Sequence, residues 1–554
     1  MKHRIKRIGT ALAAILCAGA LLAGCGSETA PSTEPIQTTA APTETTEPIV
    51  SWETNFLMMD ELKLEGETTE EHIENAGKKM VLGSKLTRDQ IRTVTFLDTL
   101  ADAPTSAWDV SAVGNSSVLA WTELNEGLYD LYIAAEGGIN AGSTCPYLFA
   151  GYRNVESINF GAAFHTGEAM SMRGMFMGCQ SLKKLDLITF ETAKVTDFSL
   201  LFYGCSALEE LVIHTFDTSA ATNMYAMFAD CSSLKALDLR HFKTANVTNM
   251  GFMFRRCSAM EELKLDKPSF DTGAVTQMES MFCDCSSLPK LDIRFFDVNQ
   301  VTNMRFMFTG CSGLTELLLP ESNTGALQDT TCMFKECSNL TSLKVDRLNT
   351  SYVTDMHEMF MGCSALTELD ISKLNTASVE NMEGMFRACT NLKRIHLGKI
   401  NTSSVKDMGV MFYQCSSLEA LDISGLDTSS VETMQSMFRE CTALKELTLG
   451  DLDTENVTSM YYMFAYCSAL EKLDVSGLET AAVGSMRAMF RDCSALTELT
   501  LGEMDTGSVT DMYAMFWNCS GVTLEDVEHF NTENVTEYEF FMNESGWEDM
   551  FPEK

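Results

Sequence analysis

The feature that most constrains this chain is a column of cysteines that recurs at a fixed spacing. The spacing is 26 at every step except that from Cys257 to Cys285, where it is 28. A Phe stands three residues before each of these cysteines, and a Met stands four before it in every copy except one, which has Leu201. Because such a fixed period is typical of repeat arrays, we predict a stack of coils rather than several closed globular domains. The cysteine column comprises Cys179, Cys205, Cys231, Cys257, Cys285, Cys311, Cys337, Cys363, Cys389, Cys415, Cys441, Cys467, Cys493 and Cys519.

One unit reads VTSMYYMFAYCSALEKLDVSGLET. Met460, Phe464 and Cys467 recur at steps of three to four residues, the spacing of one helix face. Leu473 and Val475 alternate with polar residues, the period of a strand. The Asp-Thr or Asn-Thr step found in most copies favours a turn, because such short side chains bond nearby backbone. We therefore predict an α/β repeat solenoid, leucine-rich-repeat-like, with one short helix and one short strand per coil.

The Phe and Cys columns are predicted to be structural core, because a unit this small buries its apolar face only by stacking. A disulfide or metal framework is the alternative for the cysteines. No C-x2-C pair or Cys/His cluster is visible in the sequence, and a ladder of identical neighbours gives no unique pairing, so we expect buried free thiols and neither metal nor cofactor. Representative core positions are Phe176, Cys179, Phe228, Cys231, Phe386, Cys389, Phe464 and Cys467.

Two further groups of sulfur residues invite a chemical interpretation. The recurring methionines could form a copper-binding face, but they share their stripe with Phe and Leu, which favours core filling. Cys145 and Cys332 lie outside the column, and we expect them to be the more reactive thiols.

The strand pattern L-x-x-L-x-L is that of leucine-rich repeats, and the whole unit resembles the 26-residue surface-protein repeat of bacterial BspA-like proteins. The resemblance covers residues 147–545. It implies an extracellular solenoid of the kind implicated in adhesion or protein binding, with no known catalytic chemistry. The chain departs from ordinary leucine-rich repeats where Leu or Phe followed by Asp/Asn-Thr replaces an Asn ladder, which leaves the turn geometry open.

The N-terminal segment, residues 1–25, is typical of a bacterial lipoprotein signal. A basic MKHRIKR precedes the apolar IGTALAAILCAGALL, which is too short for a comfortable membrane span. LAGC, ending at Cys25, resembles a lipobox, in which residues 1–24 are removed and Cys25 receives a diacylglycerol. In the alternative, an ordinary secretory signal, Cys25 is incidental. Two acyl chains suffice for a stable anchor. Residues 25–50, rich in Thr, Pro and Glu, are predicted to be a disordered tether.

The two ends of the array are predicted to differ from its middle, because terminal units must seal an open core. Residues 51–146 do not repeat, and their runs IRTVTFL, SVLAWTEL and LYDLYIAAE indicate strands, so we predict a small β-rich capping domain. The first unit of the array has Tyr152 in the place of the column cysteine. Residues 546–554 are predicted to be a C-terminal tail.

The charge of the chain restricts its partners. Removal of the signal peptide changes the formal net charge from -37 to -41, because four basic and no acidic residues leave with it. A strongly acidic chain lacks the basic footprint that nucleic acid requires and does not lie flat on anionic lipid. We therefore expect membrane contact only through the lipid anchor, and an extracellular protein or glycan partner; the acidic charge is compatible with a cationic one. We expect a monomer.

The strand surface is the candidate binding face. The residue between the two strand hydrophobics is predicted to point away from the core, towards the face that solenoids use for binding. From Asp370 onward this position alternates with a 52-residue period, which a duplication of paired units also explains. The candidate residues are Asp186, Asp238, Asp292, Asp370, His396, Asp422, Thr448, Asp474 and Thr500.

Three functions follow in order of preference. The first is a cell-surface lipoprotein that presents the solenoid for protein or glycan binding in adhesion or cell–cell interaction. The second is a structural cell-envelope spacer without a specific ligand. The third is an enzyme with its site in the N-terminal region. The sequence contains no His-based triad, metalloprotease motif or Gly-rich phosphate loop, so we predict no catalytic residues.

Overall fold

The computed structural model describes residues 52–58, 68–321, 324–543 and 546–551. The predicted signal peptide, Cys25 and the tether to residue 50 lie outside the described residues. Among the described residues no helix has the length and apolar character needed to cross a membrane.

In its described residues, the N-terminal region contains one helix and a mixed sheet that continues into the repeats. Strands β1, β3 and β4 coincide with the three predicted runs, which confirms those strands. The sheet has the order β2-β3-β4-β1-β6, in which β1 pairs in parallel with both β4 and β6, and β3 pairs antiparallel with β2 and β4. The elements are α1 (Thr69–Gly77), β1 (Ile91–Leu97), β2 (Trp108–Asp109), β3 (Leu119–Asn125), β4 (Leu128–Ala134), β5 (Ile139–Asn140), β6 (Ser157–Asn159) and β7 (Phe164–His165), with 3-10 turns at Trp52–Thr54 and Arg88–Gln90.

The core of this region is continuous with the core of the repeats, because one hydrophobic cluster runs from Leu57 to Phe551. Arg88 links the N-terminal region to the first coil of the repeats. Its side chain is only 1 % exposed and donates to the carbonyl oxygens of Tyr147 and Ala150 at 2.9 and 2.8 Å. A buried guanidinium is costly unless it is hydrogen-bonded, so these carbonyls hold it in place.

Of the described coils, twelve each contribute one three-residue parallel strand, as the alternating pattern predicted. The strands pair two by two, with a gap in the ladder after each pair. The pairs are β8 (Lys184–Asp186) with β9 (Glu210–Val212), β10 (Ala236–Asp238) with β11 (Glu262–Lys264), β12 (Lys290–Asp292) with β13 (Glu316–Leu318), β14 (Glu368–Asp370) with β15 (Arg394–His396), β16 (Ala420–Asp422) with β17 (Glu446–Thr448), and β18 (Lys472–Asp474) with β19 (Glu498–Thr500).

The predicted helix is wrong. The described Met-Phe-Cys segments contain turns and no helix. In the coil of Cys467, the N–H groups of Tyr462 and Phe464 donate to carbonyls of the next coil, at 2.9 Å each, instead of to their own coil. Tyr462 and Tyr466 have left-handed backbones, with φ of 56° and 64°, which a right-handed helix excludes. The apolar residues do have helical spacing. The stacked neighbouring coil, however, offers carbonyl acceptors to the backbone N–H groups, and these inter-coil hydrogen bonds form in place of helical ones.

The phenylalanine column forms the centre of the core, as predicted. All fourteen rings are fully buried, and successive rings stack with centroids 5.4–5.8 Å apart and planes within 20° of parallel. The methionines that line the same stripe, such as Met460 and Met463, are also fully buried. Both observations agree with core filling.

The threonines of the Asp/Asn-Thr step recur once per coil and are called the column threonines. They join successive coils, which corrects the interpretation of this step as a local turn alone. Only the side chain of the first residue of the step bonds nearby, as when the Asp427 carboxylate accepts from the N–H of Ser429 at 3.1 Å. Thr402 is fully buried, donates its hydroxyl to the carbonyl of Asp427 in the next coil at 2.8 Å, and accepts the N–H of Asp427 at 2.9 Å. The same reciprocal pair is made by Thr166, Thr192, Thr218, Thr324, Thr454 and Thr506.

At the C-terminal end a helical turn, α2 (Leu524–Val527), replaces the strand. Residues 546–551, which were predicted to belong to a tail, fold back in a 3-10 turn (Trp547–Met550) against the last coil. Phe551 is 7 % exposed and stacks on Tyr538 at 4.5 Å. Phe541 packs edge-on against Phe516, the last ring of the column, at 5.4 Å, and Phe551 in turn packs on Phe541 at 5.2 Å. These rings cover the open end of the phenylalanine column.

Candidate binding surfaces

The strand face, defined as the outward residues of β8–β19, carries all nine predicted binding residues in exposed positions. In β18, Leu473 is buried while Lys472 and Asp474 on either side of it are exposed. Across the strand pairs, Asp370 lies opposite His396, and Asp422 lies opposite Thr448. The predicted outward row therefore exists as a surface feature.

The aspartates of this row are engaged in local bonds. Asp370, Asp422 and Asp474 each accept the N–H of the Ser two residues later, at 2.9–3.0 Å. Hydrogen bonds from these serines hold the pKa of each carboxyl below its usual range. Asp238 and Asp292 instead pair with Arg240 and Arg294 at 2.6 Å, and the Arg240 bond lowers the pKa of Asp238 to about 2. These five carboxyls stay ionised at neutral pH, but Arg240 and Arg294 neutralise part of their charge.

Grooves open in the surface near the one coil between β8 and β19 that forms no strand. The repeat period places a strand over residues 342–345, but none forms there. A cavity of about 350 Å³ is lined by Ser342 and Lys344 of this coil. A second cavity, of about 480 Å³, is lined by side chains of the preceding coils, of both charges, including Asp292, Arg294 and Glu321. Asp292 is thus the one predicted binding residue that borders this concave site.

A second surface was not predicted from the sequence. On the turn side of the C-terminal coils, Arg439 lies over the rings of Tyr413 at 5.3 Å and Tyr462 at 4.6 Å, and Arg487 lies over Tyr513 at 4.0 Å. Arginine over an aromatic face is a favourable cation–π contact. The arginine–tyrosine stripe comprises Arg387, Tyr413, Arg439, Tyr462, Tyr466, Arg487, Arg491 and Tyr513, all half-buried.

The stripe ends in an aromatic pocket. A cavity of about 230 Å³ is lined by Arg491, Tyr513, Trp517 and Phe540. Phe540 is 50 % exposed, an unusual state for a large apolar side chain in this chain. The sequence signal was present, since these residues flank the Met and Cys columns. They come from successive coils, so only the register of the stack shows that they touch.

The cysteine column consists of buried free thiols, as predicted. Each described column thiol from Cys179 to Cys493 donates to the carbonyl of the column Phe of the preceding coil, at 3.0–3.4 Å, as Cys205 does to Phe176. Burial raises the pKa of the Cys389 thiol to about 12. A protonated buried thiol is a poor nucleophile.

The structure bears on two expectations about thiols outside the column. Cys145 and Cys332 are buried like the column thiols, at 0 % and 3 % exposed, and burial raises the pKa of these thiols to about 12 and about 11. That they react faster than the column thiols stays a prediction. The sequence also suggested that Cys/His clusters are absent. The stack brings Cys332 together with His357 and Glu358, because equivalent residues of successive coils are neighbours.

The repeats match a known protein family over most of their length. Four segments, residues 170–267, 261–342, 328–447 and 434–548, match the family described as "Mycoplasma protein of unknown function, DUF285". The chain belongs to this family. The DUF285 segments span the coils from Met170 to the end of the array, so the family repeat is built from the coil described above.

Comparisons with other proteins add no function to the DUF285 repeats. No curated protein matches the chain. Among solved structures, the one described as "Crystal structure of TLR13-ssRNA13 complex" is 14 % identical, with a TM-score of 0.22. The alignment covers 70 % of this chain and 63 % of that one, so this chain spans under two thirds of that relative's length.

Proposed function

We propose that this chain is an exported bacterial lipoprotein, BspA-like in character, that presents its DUF285 repeats at the cell surface for protein or glycan binding and has no catalytic activity. In this proposal residues 1–24 are the signal peptide, Cys25 carries the lipid, residues 25–50 are the tether and residues 51–146 cap the array. The observation that carries the binding function is the arginine–tyrosine stripe.

The composition of the stripe supports a contact surface. Tyr, Trp and Arg are the residues most enriched among those that dominate binding energy in protein interfaces. Here they form a half-buried row over six successive coils, from that of Cys389 to that of Cys519, each held by its neighbours. Preorganised side chains lose little conformational entropy on binding.

The charge of the stripe favours a neutral partner surface. Arg439, Arg487 and Arg491 each have a carboxylate within 3.1–3.5 Å, in Glu440, Asp511 and Asp492 respectively. Their charge is thus compensated, while their flat faces and the tyrosine rings stay in place. Flat aromatic and guanidinium surfaces suit sugar rings or the apolar side chains of a protein, and a polyanion would meet the strongly acidic remainder of the chain.

The test is a kinetic binding measurement against a panel of purified extracellular glycans and extracellular proteins. Wild type is compared with Arg439→Ala/Tyr462→Ala on the stripe and with Asp422→Asn/Asp474→Asn on the strand face. Asn keeps the acceptor that bonds the following Ser, so the strand-face variant is a matched control for folding. We expect the stripe variant to dissociate at least about tenfold faster, because hot-spot changes act mainly on dissociation.

The control variant separates the two faces. It should leave the dissociation rate unchanged and alter only the association rate and its salt dependence, since exposed charges act at long range and are screened over about 8 Å at 0.15 M salt. Faster dissociation of the aspartate variant alone would assign the contact to the strand face. Failure of wild type to bind any member of the panel would contradict the binding function and favour the envelope-spacer alternative.

The anchor is tested separately by Cys25→Ser. We expect this variant to lose incorporation of labelled lipid and to leave the membrane fraction or to accumulate unprocessed, because the thiol is the only lipid acceptor in the proposal. Wild type treated identically is the control. A processed Cys25→Ser protein that remains in the membrane fraction would contradict lipidation at this residue.

A further inference from the structure

Cys332 is the thiol outside the column whose surroundings differ most from those of a core cysteine. Its Sγ lies 3.8 Å from Glu358 Oε2, and the same oxygen lies 3.6 Å from His357 Nε2. The three residues each offer one ligand atom, and these atoms all lie within 4.8 Å of one another. Thiolate, imidazole and carboxylate are together the donor set of transition-metal sites.

The separations suit a tetrahedral ion. Zinc binds nitrogen and oxygen at about 2.0–2.2 Å and sulfur at about 2.3 Å, so two ligand atoms of a tetrahedral site lie roughly 3.3–3.8 Å apart. The two separations from Glu358 Oε2 fall in this range. Little movement of Cys332, His357 or Glu358 is therefore needed to close around an ion.

A second carboxylate, that of Glu383, lies at the other ring nitrogen of His357, as is usual for histidines that bind metal. The histidine Nδ1 lies 3.4 Å from Glu383 Oε2, on the opposite side of the ring from Glu358. The Nδ1 atom is buried and makes no hydrogen bond at this distance and angle. A carboxylate at one ring nitrogen fixes the tautomer that leaves the other nitrogen free to bind metal. Metal binding at Nε2 would thus give Nδ1–H a defined acceptor in Glu383.

The backbone register fixes the cluster. Cys332 and Glu358 occupy equivalent positions of successive coils, both left-handed, with φ of 54° and 50°. The N–H of Cys332 donates to the carbonyl of His357 at 2.9 Å, which ties the two coils together at the site. The next coil has Gly384 at the equivalent position, where a Cβ would lie 3.1 Å from Cγ of Glu358, so the glycine leaves room for the carboxylate.

We propose that Cys332, His357 and Glu358 form a binding site for a zinc-like divalent transition-metal ion, with Glu383 orienting the histidine and a water as the fourth ligand. Cys332 belongs to the coil whose residues 342–345 form no strand. The ion ties this coil, which lacks a strand, to the next one.

Two cations lie beside Glu358. Arg387 Nη1 is 3.8 Å from its Oε1. Lys335 Nζ is 2.5 Å from its Oε2, so the ammonium holds the carboxylate when no metal is bound. The side chain is 28 % exposed, and its flexible stem lets the ammonium move into water. Lys335 therefore weakens the site without blocking it.

The experiment titrates the purified full-length chain with Zn²⁺ in competition with a chromophoric chelator, and with Co²⁺ as a spectroscopic probe. We expect one ion per chain, a thiolate-to-Co²⁺ charge-transfer absorption, and a higher unfolding temperature with Zn²⁺. Cys332→Ser should abolish the absorption and weaken Zn²⁺ binding by on the order of 100-fold or more, since even outer-shell partners cost 10- to 100-fold. Glu383→Gln should weaken binding by about 10- to 100-fold and keep the absorption.

Three further variants complete the design. Cys283→Ser removes another buried thiol outside the column and should bind Zn²⁺ like wild type. His357→Ala changes a half-buried residue, and replaces Cys332→Ser as the decisive variant if the latter does not fold. Lys335→Met should bind Zn²⁺ more tightly than wild type. Equal Zn²⁺ affinity of wild type, Cys332→Ser and His357→Ala would overturn the proposal, as would a Co²⁺ complex without the thiolate absorption.

Discussion

At the scale of single residues, the repeat uses its buried polar columns to join neighbouring coils. The column Thr bridges forward to the next coil, and the column Cys bridges back to the Phe carbonyl of the preceding one, as Thr402 and Cys205 do. A buried hydroxyl or amide without a partner is costly, so these bonds explain why Thr recurs at this position, with Val298 as the exception between Thr272 and Thr324.

Thr402→Val tests the threonine bridge. The substitution keeps the shape of the side chain but leaves the N–H and C=O of Asp427 without their partner, so we expect a loss of about 1–3 kcal/mol in the free energy of unfolding. Thr402→Ser keeps the hydroxyl and should cost less. Chemical denaturation of both variants measures the difference, and equal stability of Val and wild type would contradict the bridge.

Much of the residue-level core could be predicted from the sequence, because the columns of Phe386 and Cys389 are visible as a period. The role of Thr402 could not. A local turn and a bond to residue 427 use the same side chain, and the sequence alone does not tell which acceptor lies closer. The same limit applies to Cys332, whose partners become neighbours only when the coils are stacked.

At the scale of elements, the 52-residue period has a structural cause. The pairs β14–β15, β16–β17 and β18–β19 each join one Asp-Ser coil to one Gly coil. Gly450 has φ of +70°, and a Cβ placed on it would lie 2.5 Å from Cβ of Ser424 in the partner coil. Alternation of Ser and Gly thus lets the two turns approach closely. Duplication of a paired unit would preserve this contact.

Gly450→Ala tests this close approach. The new Cβ meets both a left-handed backbone and the side chain of Ser424, so we expect a loss of about 1–3 kcal/mol in the free energy of unfolding. Gly425→Ala is the matched control, because a Cβ there has no atom within 4 Å and its φ is not positive. The two variants are compared by thermal unfolding. Similar values for both would show that the turn contact is unimportant.

The strands were predictable and the helices were not, for one physical reason. The alternation of Leu473 and Val475 with polar residues shows that one face of the segment is buried. This pattern indicates a strand whichever coil lies beside it. Spacing of three to four reports only which side chains face inward. Whether the N–H of Tyr462 bonds within its own coil or to the next one depends on the neighbour, and a Gly directly before several column cysteines, as at Gly178, was the available signal for a left-handed turn.

Of the two candidate binding surfaces, one could be predicted from the sequence and the other could not. The exposed row of the strand face was predictable because it follows from strand period, and all nine of its residues are exposed. The arginine–tyrosine stripe was not, because Arg439 and Tyr462 belong to successive coils and become neighbours only through the turns. Their contacts depend on a turn geometry that the sequence did not reveal.

At the scale of the whole molecule, the coils depend mainly on their neighbours. Backbone bridges, ring stacks and threonine bonds each connect one coil to the next. Stability of such an array is approximately a sum of coil and interface contributions, so damage should remain near its origin. The column cysteines give one probe of local opening per coil, since each is buried and forms no disulfide.

The most direct test is therefore the labelling rate of each column cysteine in the native protein, read by mass spectrometry, in wild type and in Phe386→Ala. Phe386 stacks between Phe360 and Phe412 at 5.8 and 5.5 Å, and its loss should cost about 3–5 kcal/mol through the cavity it leaves. We predict slow labelling throughout the wild-type column, and in the variant a faster rate at Cys389 and its neighbours that fades with distance along the stack. Rapid labelling of all fourteen thiols in wild type, or a uniform acceleration of all of them in Phe386→Ala, would contradict a stack of buried, nearest-neighbour coils.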